Sequence, residues 1–75
     1  MIFENVAQAL AKQFEVDVES ITMETNLIDD MGADSLDVVE LIMTLEDIYG
    51  ITISDDDAAQ LYTVGKIVDY LEKIK

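Results

Sequence analysis

The sequence predicts an all-α fold: a small bundle of three main helices plus one short helix, with a long first loop. Three stretches repeat apolar residues at spacings of three and four, which is the period of an amphipathic helix. No stretch alternates convincingly between apolar and polar residues, as a half-buried strand would. The chain has 75 residues, 51% of them hydrophobic, so it can build one small core and we expect a single domain, 1–75.

The first helix is predicted over about residues 2–15. Its apolar stripe consists of Phe3, Val6, Ala7, Leu10, Ala11 and Phe14. The segment 16–34 that follows is long for a loop in a compact domain. We therefore expect one turn after Ser20 and contact with the core through the segment's apolar residues. These residues are Val16, Val18, Ile21, Leu27 and Ile28.

The second helix is predicted to begin after Asp34 and to end at Gly50, a residue type that commonly terminates helices. At about 100° per residue, one side forms a core stripe of Val38, Leu41, Ile42, Leu45, Ile48 and Tyr49. The nearly opposite side carries Leu36, Val39 and Met43, surrounded by Asp37, Glu40, Glu46 and Asp47. An apolar patch ringed by acids indicates a docking surface for a basic partner. The alternative is that this helix is buried on more than one side.

Two further helices are predicted in the last third of the chain. Ser54 and Asp57 have the spacing of a capping box, which indicates a short helix near residues 55–61. Thr63 stands in front of the last apolar stripe and is expected to open the final helix. That stripe consists of Val64, Ile67, Val68, Leu71 and Ile74.

The charge is strongly negative and unevenly distributed. Four lysines and seventeen acids give a net charge of −13, and fourteen of the acids lie between Phe14 and Gly65, where there is no basic residue. Such a charge repels nucleic acid and anionic lipid and favours basic partners. The high, periodic apolar content argues against disorder. With no signal peptide and no apolar run of membrane-spanning length, we expect a soluble cytoplasmic protein without stable membrane insertion.

The residue inventory excludes several kinds of site. The chain has no cysteine and no histidine, which excludes thiolate and histidine metal sites, serine–histidine pairs and a histidine base. We expect neither an enzyme nor a specific metal site. The runs Asp29–Asp30 and Asp55–Asp57 lack the spacing and glycine of an EF-hand loop. They are interpreted as solvated charge, with weak cation binding as the alternative.

Ser35 stands where the second helix begins, and the sequence allows two interpretations of its role. It could be the N-cap of the helix, but Asp34 is an equally good cap with Asp37 three residues later. If Asp34 is the cap, the Ser35 hydroxyl faces solvent in the first turn, where helix N–H groups and the helix dipole favour a phosphate ester. Gly32 and Ala33 are small and would let an enzyme approach. The neighbouring acids do not suit a nucleophilic serine, because they oppose a developing oxyanion.

These residues resemble a known family. The segment "LIDDMGADSLD", followed by "VVELIMTLEDIYGI" and "DDDAAQLYTVGKIVDYL", is similar to acyl carrier proteins of the dissociated (type II) fatty-acid synthase. The resemblance covers essentially the whole chain. It implies that Ser35 carries 4′-phosphopantetheine, derived from coenzyme A, through a phosphodiester. The thiol of this arm would hold growing acyl chains as thioesters and would supply the sulfur that the sequence lacks.

The resemblance also implies roles for the second helix. Its exposed side would dock a phosphopantetheinyl transferase and the fatty acid synthase enzymes through their basic patches, and the carrier would be a monomer. The docking residues would be Asp34, Leu36, Asp37, Val39, Glu40, Met43, Glu46 and Asp47. In the family the acyl chain can slide between the helices. The matching positions, which the pattern alone describes as ordinary core, are Leu27, Ile28, Val38, Leu41, Leu45, Ile53, Ala58, Leu61, Ile67 and Tyr70.

Two departures from the family pattern and three alternatives remain. Ser54 replaces a common proline, and Lys66 stands where an acid is common. Neither change argues against a carrier. The chain could carry another cargo, such as polyketide, aminoacyl or D-alanyl groups. It could also be a structural adaptor, or an acidic cation-binding helical protein without a prosthetic group.

Overall fold

The structure is a computed structural model that describes residues 2–74. In chain order the helices are α1 (Ile2–Phe14), α2 (Ser35–Tyr49), α3 (Asp55–Ala58) and α4 (Val64–Ile74), and a single 3₁₀ turn covers Val18–Ser20. Within the described range the only β-type pairing is an isolated bridge between Asn26 and Thr63. The prediction of an all-α fold with three main helices, one short helix and a long first loop is therefore confirmed.

The helix ends follow local sequence signals. Gly50 lies in the left-handed region with φ 64°, and its N–H donates to the Glu46 carbonyl, so α2 ends where the sequence predicts. The hydroxyl of Thr63 accepts the Lys66 N–H at 3.2 Å and caps α4. The hydroxyl of Ser54 accepts the Asp57 N–H at 3.2 Å and caps α3. All three predicted signals are confirmed.

The core is formed where α1 packs against both α2 and α4. Contacts at the two ends show that α1 and α2 run antiparallel: the Asn5 amide donates to the Tyr49 hydroxyl at 2.9 Å, and the Gln13 amide donates to the Asp37 carbonyl at 2.8 Å. The buried residues are Val6, Ala7, Leu10, Ile21, Leu27, Ala33, Leu41, Ile42, Leu45, Ile53, Leu61, Val64, Ile67, Val68 and Leu71.

Ile48 does not belong to this core, although its position in the α2 stripe predicted that it would. Half of its side chain is exposed. Its neighbour Tyr49 is on the side that α1 covers, and successive helix residues point about 100° apart. Ile48 therefore turns away from that contact near the end of α2.

The long first loop is held mainly through its backbone. The N–H of Leu27 donates to the Tyr62 carbonyl at 2.8 Å, that of Val64 to Thr25 at 3.0 Å, and that of Gly65 to Met23 at 2.8 Å. These bonds join the loop to the start of α4. Of the five apolar residues expected to reach the core, Ile21 and Leu27 are buried, and the exposed ones are Val16, Val18 and Ile28.

The connecting segments agree with the predictions at one point and differ at another. A 3₁₀ turn ends at Ser20, whose hydroxyl donates back to the Asp17 carbonyl at 2.7 Å. A turn also follows Ser20, as expected, where the Thr25 N–H donates to the Thr22 carbonyl at 3.1 Å. The short helix ends at Ala58 rather than near residue 61. Beyond Ala58, the N–H groups of Gln60 and Leu61 bond carbonyls only three residues earlier, which tightens the turn and directs Leu61 into the core.

Candidate functional site

Ser35 is the first residue of α2 and is not needed to cap it. The Asp34 carboxylate accepts the Asp37 N–H at 3.0 Å, and the Asp37 carboxylate accepts the Asp34 N–H at 3.2 Å. This reciprocal capping box satisfies backbone donors at the helix start. Ser35 is exposed. The structure thus decides between the two alternatives for the start of α2 in favour of Asp34 as the cap.

The loop in front of Ser35 is anchored on one side and open on the other. Ala33 is buried, and its N–H donates to the Leu27 carbonyl at 2.8 Å. Gly32 is exposed with φ 67°, a left-handed conformation that glycine adopts without steric cost. Of the two small residues expected to leave room for an enzyme, only Gly32 is therefore at the surface. Ala33 instead anchors the loop to the core, which fixes the backbone that leads into Ser35.

The first turn of α2 fits a phosphodiester on the Ser35 hydroxyl. The first N–H groups of a helix have no carbonyl partner within it, and the helix dipole adds positive potential at this end. The carboxylates of Asp34 and Asp37 are directed toward backbone N–H groups by the capping box. An exposed hydroxyl at such a helix start can hold an esterified phosphate.

A cleft of about 360 Å³ lies beside Ser35, between α2 and the α3 region. Its walls are mostly apolar, and its lining residues are Ile28, Ser35, Val38, Val39, Asp55, Ala58, Ala59, Leu61 and Tyr62. We call it the Ser35 cleft. Four of the ten residues expected from the family pattern to line an acyl pocket are among them: Ile28, Val38, Ala58 and Leu61.

The other six expected pocket residues lie elsewhere. Five are buried in the packed core, namely Leu27, Leu41, Leu45, Ile53 and Ile67. Tyr70 is partly buried, and its hydroxyl donates to the Asp57 carboxylate at 3.0 Å. Three lining residues were not expected at the site: Asp55, Ala59 and Tyr62. Tyr62 lies between α3 and α4, outside every apolar stripe, so helical periodicity gives no signal for it.

Five of the docking residues expected on α2 are exposed: three apolar and two acidic. Leu36 is 76% exposed, Met43 59% and Val39 51%. The alternative that α2 is buried on more than one side is therefore wrong. Glu40 and Asp47 are exposed beside these residues.

The remaining acids near this side already have internal partners. Besides the capping pair, Glu46 is partly buried, and its carboxylate accepts the Ile53 N–H at 2.6 Å. Within residues 2–74, no three acids lie close enough together to hold a metal ion. None of the helices in that range has the length and apolar character that a membrane crossing requires.

Known proteins resemble this chain over almost its whole length. The family model described as a phosphopantetheine attachment site matches residues 4–71. An acyl carrier protein of Campylobacter curvus (strain 525.92) is 42% identical over 73 residues, which cover 97% of this chain and 95% of that relative. An acyl carrier protein of Syntrophobacter fumaroxidans (strain DSM 10017 / MPOB) is 51% identical over 70 residues, which cover 93% of this chain and 86% of that relative. The matched range contains Ser35 and every residue that lines the Ser35 cleft.

Proposed function

The chain belongs to the acyl carrier protein family, and we propose that Ser35 is the residue that bears its 4′-phosphopantetheine arm. The main support for this proposal is that Ser35 is exposed in the first turn of α2 and that Asp34, not Ser35, caps the helix. The other two serines have local structural bonds: Ser20 donates to Asp17, and Ser54 caps α3. The chain carries acyl groups in fatty acid synthesis, and the arm supplies the thiol on which they are held as thioesters.

The chain's own part in loading is to present one hydroxyl. Ser35 Oγ forms a new bond to the phosphorus of coenzyme A that bears the pantetheine, and the phosphoanhydride bond breaks. Adenosine 3′,5′-bisphosphate leaves, and the hydroxyl proton passes to a base of the transferase. The two carboxylates beside Ser35 in the first turn of α2, those of Asp34 and Asp37, are engaged in the capping box and do not supply this base. We therefore expect no catalytic activity from the chain alone.

Docking would use the exposed side of α2. We propose that Leu36, Val39 and Met43 enter apolar depressions on the transferase and on the synthase enzymes. Glu40 and Asp47 would pair with basic residues of those partners, at up to roughly 1 kcal/mol for each exposed pair. Several weak pairs suit rapid, reversible docking with successive enzymes. Three other acids are also expected to contribute to docking: Asp34, Asp37 and Glu46. Their carboxylates would meet the partner while also accepting hydrogen bonds from backbone N–H groups of this chain.

An acyl chain entering the protein would meet the Ser35 cleft first. Ile28, Val38 and Ala58 are at least partly accessible there, and the buried Leu61 also lines the cleft. Five of the six expected pocket residues that do not line the cleft are buried in the core, which would have to open to admit the acyl chain. We propose that the chain acts as one domain and as a monomer in the cytoplasm. The proposal of one domain is supported by the radius of gyration of 11.0 Å, which is close to the roughly 11 Å of a compact chain of this length.

Mass spectrometry tests the attachment site. Incubation with coenzyme A and an active phosphopantetheinyl transferase should add one phosphopantetheine group to the wild type. Ser35→Ala should remain unmodified, while the control Ser20→Ala should be loaded like the wild type. An unmodified wild type would refute attachment and would favour the adaptor alternative.

A further inference from the structure

Two amide side chains tether α1 to α2, one at each end of the helix pair. At the end of α2, the Asn5 amide donates to the Tyr49 hydroxyl at 2.9 Å in an exposed setting. At the start of α2, the Gln13 amide donates to the backbone carbonyl of Asp37 at 2.8 Å in a partly buried setting. Of these two bonds, the one from Gln13 reaches the turn that contains Ser35.

Ser35 lies between the Gln13 bond and a second anchor. Two residues before Ser35, the N–H of the buried Ala33 donates to the Leu27 carbonyl at 2.8 Å. Two residues after Ser35, the carbonyl of Asp37 accepts the bond from Gln13. The backbone that carries the Ser35 hydroxyl is therefore held by the first loop on one side and by α1 on the other.

The Gln13 bond adds something that the helix cannot supply for itself. The Val38 N–H donates to the Asp34 carbonyl at 3.1 Å, and the capping box links Asp34 to Asp37. These bonds lie within one turn of α2, so they maintain the shape of the turn but do not fix it to the rest of the protein. Helix ends open more readily than packed helix centres, and a bond from α1 opposes that opening.

We propose that Gln13 is a positioning residue for the loading of Ser35. It acts through Asp37, because its amide holds the first turn of α2 against the last turn of α1 while the transferase docks. A displacement of about 1 Å can slow a reaction on the order of a hundredfold, so a small loosening of this turn lowers the loading rate. This inference rests on the proposed attachment at Ser35.

Amide hydrogen exchange of the unloaded protein tests the tether without any loading. Gln13→Met keeps the length of the side chain but removes its amide. The exchange rate of the Val38 N–H should then rise about two- to tenfold, as the loss of one hydrogen bond allows. The matched control is Asn5→Leu, which removes the other amide tether and should leave the exchange of Val38 at the wild-type rate. A general loss of stability would instead speed exchange at both ends of α2.

Loading kinetics with coenzyme A and an active transferase measure the consequence for Ser35. Gln13→Met should lower kcat about threefold and leave the KM for the carrier near its wild-type value, because the docking side of α2 is intact. Gln13→Glu has a similar shape but no amide donor, and it should lower kcat in the same way. Asn5→Leu should match the wild type. Circular dichroism verifies that each variant is folded.

The possible results separate this inference from the proposed attachment. An unmodified wild type in mass spectrometry refutes the attachment, and the positioning role falls with it. If the wild type is loaded but Gln13→Met keeps its kcat or its Val38 exchange rate, the attachment stands and the positioning role is wrong. If Asn5→Leu lowers kcat as much as Gln13→Met does, the Gln13 bond contributes only to general stability and the proposal is overturned.

Discussion

The carboxylate of Glu46 accepts a hydrogen bond from the backbone N–H of Ile53 at 2.6 Å. This bond joins the last turns of α2 to the non-helical segment that leads into α3, on the far side of Gly50. Ile53 is buried, so solvent has little access to replace the carboxylate. Glu46, predicted only as part of the docking side, therefore also fixes the segment that leads into α3 to the last turns of α2.

Removing that acceptor should destabilise the fold. Glu46→Ala should lower the free energy of unfolding by about 1–3 kcal/mol, because it leaves a partly buried N–H without its acceptor. Glu46→Gln should cost less, since its amide oxygen still accepts. The control Asp47→Ala also removes one negative charge but lies exposed, and should change stability by no more than about 0.5 kcal/mol. Urea unfolding of the three variants measures this, and equal effects of Glu46→Ala and Asp47→Ala would contradict the structural role.

Truncating a core residue of α2 should reduce stability, whereas truncating a docking residue should mainly reduce loading by the transferase. Leu45 is fully buried, and Leu45→Ala should cost roughly 2–5 kcal/mol. Leu36 is 76% exposed, and Leu36→Ala should cost less than about 1 kcal/mol while weakening loading by the transferase. Thermal melts by circular dichroism and transferase kinetics measure the two effects. If Leu36→Ala unfolds the protein as readily as Leu45→Ala, the docking side is part of the core.

Charge reversal on α2 should slow association with partners. Glu40→Lys and Asp47→Lys should lower the association rate with the transferase, and the effect should shrink as salt is added, because exposed charges steer encounter through a screened field. Asp69→Lys makes the same charge change at an exposed position of α4 and is the matched control. Stopped-flow binding at several salt concentrations decides the matter. An equal effect of the Asp69 variant would mean that only net charge matters.

The raised pKa of Tyr70 should make the protein lose stability at alkaline pH. The pKa of Tyr70 is raised above its usual value of 10.0, first by its hydrogen bond to Asp57, then by desolvation and by the negative charges of Asp57 and Glu46. Because the folded-state pKa exceeds the unfolded one, the stabilisation is complete below the unfolded pKa and is lost as pH rises through the folded pKa. The melting temperature of the wild type should therefore fall more steeply above about pH 10 than that of Tyr70→Phe.

Tyr62→Phe is the control for this pH dependence. It removes a hydroxyl of the same kind but leaves the bond between Tyr70 and Asp57 intact. The melting temperature of this variant should fall with rising pH as steeply as that of the wild type. If the melting temperature of Tyr70→Phe also falls as steeply, the hydrogen bond between Tyr70 and Asp57 contributes nothing to folding at neutral pH.

The sequence by itself determined the helices and the position of Ser35. Those features depend on neighbours three or four residues apart: apolar residues at helical spacing, the reciprocal pair Asp34 and Asp37, and Gly50 at a left-handed helix end. Such interactions form within one turn of the chain, so the pattern of residues is enough to predict them.

Only the tertiary structure decided which apolar residues of the loop and of α2 are buried. Val16, Val18, Ile28 and Ile48 have the same character as their buried neighbours, but no other part of the fold covers them fully. The Ser35 cleft, the bond from Ile53 to Glu46, and Lys66 beside the Tyr62 ring also depend on how α2, α3 and α4 come together. Burial and side-chain partnership are set by elements distant in sequence, and periodicity along a single helix carries no information about where those elements pack.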